Sequence, residues 1–91
     1  PWKVSVRDDP NMQVLLVSQF TLYAKVYKKK KLDFHNALAP DPARILYQSL
    51  IDSVAYVIGR ERTQAGEFGA YMDVALTNDG PVTILLDSKE K

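Results

Sequence analysis

The sequence predicts an α+β fold, with one long α-helix over about residues 41–58 set among β-strands. Three observations predict it. Residues 13–24 read QVLLVSQFTLYA, free of Gly and Pro and rich in β-branched and aromatic residues, which is strand composition. Leu46, Leu50, Val54 and Val57 recur at helical spacing. Residues 68–77 and 82–87 alternate apolar and polar side chains, the period of a strand with two unlike faces.

Each element can be justified in chain order. Trp2 to Val6 alternates over a short run and is expected to be a strand. Residues 7–11, RDDPN, are a turn by composition. Residues 13–24 begin as a strand buried on both faces, because Val14 to Val17 are uninterrupted apolar residues. From Lys25 to Pro40 periodicity disappears, so a long loop is expected. Asp41 can cap a helix and Pro42 suits its first turn, where a missing N–H is not needed. Leu46, Leu50 and Val54 form the expected core stripe, with Ile51 and Ile58 beside it. Gly59 is the expected stop. In the next strand Met72, Val74 and Leu76 share one face, and Val82, Ile84 and Leu86 repeat the pattern beyond Asn78-Asp79-Gly80, strong turn chemistry.

Composition bounds the chemistry. A chain of 91 residues makes a single domain, 1–91. Its net charge of +1 creates no global field that demands a nucleic acid or a membrane. With no cysteine there is no disulfide, thiolate metal site or cysteine nucleophile. One histidine, His35, rules out a multi-histidine metal cluster within one chain. No apolar run approaches the ~20 residues that span a bilayer. No apolar stretch follows Pro1-Trp2-Lys3 as it would in a signal peptide, so a cytoplasmic protein is expected. The start at proline rather than methionine is expected of a fragment or a trimmed chain.

Two stretches carry more than fold. Residues 18–24, SQFTLYA, and residues 78–83, NDGPVT, resemble the two signature motifs of the D-aminoacyl-tRNA deacylases. Residues 68–72, FGAYM, resemble the family's strand leading into the second motif, and DFHNALAP and LYQSL fit its middle section. The resemblance runs from about Trp2 to Ser88. Family members usually carry a further N-terminal segment with strands, a helix and an arginine that helps hold the Gly-Pro loop. That segment is absent from this sequence, so the domain is expected to be partial.

The resemblance implies a fold of mixed and antiparallel sheets in a barrel-like core around the one long helix, without the N-terminal part. It implies an enzyme without metal or cofactor that hydrolyses the ester between a D-amino acid and the 3′-terminal adenosine of tRNA. Related members also remove glycine mischarged on tRNA. It further implies a homodimer with active sites at the interface, where each subunit inserts a cis Gly80–Pro81 loop into its partner's site. Gly80, Pro81 and Asn78 then bind substrate, and Phe68, Gly69 and Ala70 line the pocket, leaving room near the α-carbon. By sequence alone, Gly80–Pro81 is an ordinary trans turn; the cis bond is expected only from the resemblance.

Candidate catalytic residues are Ser18, Gln19, Phe20 and Thr83. Backbone N–H groups at Gln19 or Phe20, or the Gln19 amide, can face a developing oxyanion. Ser18 can bind substrate or fix the loop, and Phe20 can stack on the terminal adenine. The plain alternative is a buried strand with satisfied polar groups. A nucleophilic Thr83 needs a base within hydrogen-bond reach, and His35 lies far away in sequence. Positioning with water attack, assisted by the 2′-hydroxyl of the RNA, is therefore the preferred expectation, with covalent catalysis as the alternative. Lys28, Lys29, Lys30 and Lys31 are either a solvated loop or contacts to tRNA phosphates. Two rival functions remain: a non-catalytic RNA- or protein-binding module, and a trans-proline relative of relaxed chirality acting on L-aminoacyl-tRNA.

Overall fold

A computed structural model describes residues 4–23, 25–26, 32–33 and 37–89. Strand β1 (Val14–Leu16) leads through a 3₁₀ turn (Phe20–Tyr23) to a small hairpin of β2 (Lys25–Val26) and β3 (Leu32–Asp33). Helix α1 (Pro40–Ile58), a 3₁₀ turn (Arg60–Arg62) and strand β4 (Thr63–Ala65) follow. The predicted α+β class with one long helix stands.

The organising unit is β1–α1–β4. The two strands pair in parallel, with Val14 opposite Thr63, Leu15 opposite Gln64 and Leu16 opposite Ala65. A parallel pair needs a crossover connection, and α1 lies within it. Gly66 N–H extends the ladder to Leu16 O at 2.8 Å. The hairpin pairs antiparallel, Lys25 with Asp33 and Val26 with Leu32, where a loop is expected from the sequence.

Helix α1 begins one residue before its expected start. Ala39 is its N-cap, Pro40 and Pro42 occupy the first turn, and Asp41 sits inside that turn without a capping hydrogen bond. An acidic side chain there still complements the positive end of the helix dipole. The stop is at Gly59, as expected. Its φ of 101° and ψ of 147° suit glycine, and its N–H closes on Ala55 O at 2.8 Å.

The core face of α1 keeps Val54 of the expected stripe, with Ile51 and Ile58 beside it, but not Leu46 and Leu50. Ala55 and Ile58 are buried, at 6% and 7% exposure, and Ala43, Tyr47, Ile51 and Val54 are half-buried beside them. Leu46 and Leu50 are exposed, at 63% and 51%. The face is set by what the helix covers, which is the short β1–β4 ladder, and that ladder leaves Leu46 and Leu50 uncovered.

Arg62 ties this unit together. Its guanidinium donates to Met12 O at 2.9 Å, Ile58 O at 3.1 Å and Asp9 O at 2.5 Å, and also to Val6 O. The N-terminal turns are thereby held against the end of α1. Those turns carry Asp8 N–H and Asp9 N–H to Ser5 O, and Asn11 N–H to Asp9 Oδ1. The strand expected over residues 2–6 is absent from its described part, because Ser5 and Val6 enter this turn.

The strand expected over 13–24 is confined to Val14–Leu16, since β4 offers only three residues as partners. The strands expected at 68–77 and 82–87 do not form among the described residues, and residues 71–87 are exposed throughout. Alternation marks which side chains would share a face, but a strand exists only when its main chain has a neighbour.

Candidate functional site

Parallel pairing places the carboxyl ends of β1 and β4 at one edge of the ladder, so residues 17–21 and 66–70 leave it side by side. The helix that follows β1 returns to the same edge, with its first turns flanking both exits. This is the position where open parallel units generally hold ligands. A cleft of about 1560 Å³ lies there. Its walls are residues 17–21, the helix positions Ala43, Leu46, Tyr47 and Leu50, residues 67–72, and parts of 37–40 and 74–89.

Ser18, Gln19 and Phe20 are thereby brought together with Phe68, Gly69 and Ala70 around one cavity. Gln19 Nε2 donates to Thr21 Oγ1, which ties the polar wall to itself. Gly69, with φ 72°, has no heavy atom within 4 Å of the position a Cβ would take. The wall is therefore open near Gly69.

Phe68 is held from two sides. Its ring centroid lies 5.8 Å from that of Tyr47, with the planes tilted by 39°. The Arg44 guanidinium lies 5.0 Å from the Phe68 ring centre on the helix side, within cation–π range. Tyr47 also donates its hydroxyl toward Leu16 O at 2.7 Å and Gly66 O at 3.0 Å. Neither Arg44 nor Tyr47 is singled out by the sequence. Tyr47 stands one position from the apolar Leu46–Leu50 repeat, and only a helix rotated onto the ladder points it inward.

Asn78, Gly80, Pro81 and Thr83 do not line the cleft. They are exposed on the segment that lacks a ladder. Gly80 has φ 74° and open space where a Cβ would stand. The peptide bond between Gly80 and Pro81 is trans, since no cis peptide bond occurs among the described residues. This corrects the cis expectation. The trans isomer is the intrinsically favoured one. Lys28 to Lys31 and His35 lie outside the described residues.

Among the described residues no group of three or more His, Cys, Asp or Glu side chains is placed to hold a metal ion. Likewise, no described helix is long and apolar enough to cross a membrane.

The model of the D-Tyr-tRNA(Tyr) deacylase family matches residues 1–87. The chain belongs to that family. It is similar to the D-aminoacyl-tRNA deacylase of Yarrowia lipolytica, with 52% identity over 89 residues that cover 97% of this chain and 57% of the relative. It is similar to the Candida glabrata D-aminoacyl-tRNA deacylase, 45% identical over 98% of this chain and 59% of the relative. A bacterial D-aminoacyl-tRNA deacylase, from Thermosipho africanus, is 43% identical over 90% of this chain and 54% of its own length. The chain thus spans a little over half the length of these deacylases.

Proposed function

We propose that the protein hydrolyses the ester bond of D-aminoacyl-tRNA, releasing the free D-amino acid and tRNA. Membership of the deacylase family supports the reaction class. The observation that carries it to particular residues is the convergence of Ser18–Phe20 and Phe68–Ala70 on one cleft. In this reading main-chain donors at Gln19 or Phe20 stabilise the oxyanion as water attacks the ester carbonyl. The 2′-hydroxyl of the terminal adenosine assists. Ser18 orients the substrate, and the open wall at Gly69 and Ala70 receives the α-carbon. Phe20 stacks on the adenine. An ester held in a preorganised site needs less side-chain chemistry than an amide, and no metal or cofactor is called on.

The loop 78–83 is proposed to act across a homodimer interface, entering the cleft of the second subunit, with Asn78, Gly80 and Pro81 contacting substrate. Residues 71–87 then pair as strands in a larger, barrel-like sheet, and the whole of 1–91 is part of one deacylase domain. Lys28 to Lys31 contact tRNA phosphates. Glycine mischarged on tRNA is a second substrate, and the protein works in the cytoplasm, apart from membranes.

Thr83 is assigned to bracing that loop rather than to nucleophilic attack. Its place outside the cleft supports this. A binding module without turnover is the second reading, favoured by the same separation of 78–83 from the cleft.

Incubation with D-Tyr-tRNA, L-Tyr-tRNA and Gly-tRNA separates these readings. Rapid release of D-tyrosine with L-Tyr-tRNA spared is the expected outcome. Binding of all three without turnover supports the module, and turnover of the L form would show relaxed chirality. Thr83→Ala is expected to keep measurable turnover; its complete loss in a folded protein would restore the covalent mechanism.

A further inference from the structure

Tyr47 occupies the point where the two walls of the cleft separate. Its hydroxyl lies 2.7 Å from Leu16 O, the last carbonyl of β1, and 3.0 Å from Gly66 O, just beyond β4. A phenol has one proton to donate, so the two carbonyls share it, with the shorter contact at Leu16. Leu16 O also accepts the Gly66 N–H at 2.8 Å. The three groups make one node that joins α1 to both strand exits. Two residues beyond Leu16 the chain enters the Ser18–Phe20 wall. Two residues beyond Gly66 stands Phe68, whose ring rests against Tyr47 itself.

We infer that Tyr47 is a positioning residue for the proposed deacylation: its hydroxyl sets the separation between the Ser18–Phe20 wall and the Phe68–Ala70 wall. The inference rests on the reaction proposed above and adds a group that need not touch substrate. Packing alone would be served equally by phenylalanine, since the ring is half-buried and rests against Phe68. What the hydroxyl adds is a fixed distance to two main-chain carbonyls on different segments. Oxyanion stabilisation depends on where donors stand, and a small misplacement at a distance costs rate rather than binding.

The test is Tyr47→Phe in the purified protein, beside Val54→Ala as a control that loosens the same helix face away from the cleft. Hydrogen exchange is read first, because it needs no turnover. Exchange at Gly66, whose N–H is held by Leu16 O across the two strand exits, is expected to rise in Tyr47→Phe, with the centre of α1 unchanged. In steady-state assays with D-Tyr-tRNA, kcat is expected to fall about tenfold with KM nearly constant, whereas Val54→Ala keeps kcat below its melting transition. Unchanged exchange at Gly66, an unchanged kcat, or an equal fall in kcat for Val54→Ala would each overturn the inference. A wild-type protein inert on every aminoacyl-tRNA overturns the reaction and the catalytic consequence together. The exchange result then decides alone whether Tyr47 couples the two walls.

Discussion

Ile58 and Leu86 are both branched aliphatic residues in apolar-rich stretches, yet Ile58 is 7% exposed and Leu86 is 88% exposed. The contrast extends to the segments around them. Residues 4–66 contain a helix, a parallel ladder and an arginine bonded to four carbonyls. Residues 71–87 have an equally regular pattern and belong to no ladder among the described residues. The helix satisfies its own backbone, so it needs only one surface to lie on. A strand leaves its N–H and C=O groups to a neighbour, so alternation without that neighbour remains an unpaired segment. Intrinsic pattern therefore counts for more in the first region than in the second.

The largest expected effect comes from removing the tie in the packed region. Arg62→Ala leaves four carbonyls without their shared donor and should cost about 4 kcal/mol of stability, since hydrogen bonds to a charged group contribute well above the neutral average. Urea denaturation checks it, and a loss below about 1 kcal/mol would show the tie to be incidental. Ile58→Ala should cost about 3 kcal/mol, the usual range for truncating a buried aliphatic side chain. A value near zero would erase the contrast between the two regions.

Leu86→Ser sharpens the comparison. In the isolated chain it should change stability by less than about 0.5 kcal/mol, as surface substitutions do. If residues 71–87 gain a sheet partner in a homodimer, the same change should weaken association, read as a concentration-dependent fall in melting temperature. Sedimentation of wild type and variant at several concentrations measures that difference. A stability loss as large as that of Ile58→Ala, independent of concentration, would mean that the segment is already packed within one chain.

How much of this was legible depends on where the information lies. The limits of α1 are written locally: prolines at 40 and 42 suit a first turn, and Gly59 takes a backbone conformation that side chains resist. The cleft walls were legible as short stretches, SQFT and FGA, because their residue types resemble a known signature. The parallel pairing that brings them together was not, because β4 is three residues, TQA, with no periodicity to detect. Tyr47 was missed for a related reason. Its role follows from the rotation of α1 about its axis, which is set by the ladder the helix covers rather than by the helix's own residues. The expected stripe at Leu46 and Leu50 is the exposed one. Arg62 has no local signal, since its acceptors are main-chain carbonyls of any residue type. The 78–83 loop is the converse case. Its turn residues were plain, but neither the isomer of the Gly80–Pro81 bond nor the distance of Thr83 from the cleft is encoded within six residues.

The acceptors of Arg62 at Val6 and Asp9 stand more than fifty positions away along the chain. Drawing so large a loop shut sacrifices chain entropy before any bond can compensate. Helix α1 and the β1–β4 ladder shorten the intervening path, so closing the clasp costs less once they are in place, and whatever loosens them also loosens the hold on the N-terminal turns.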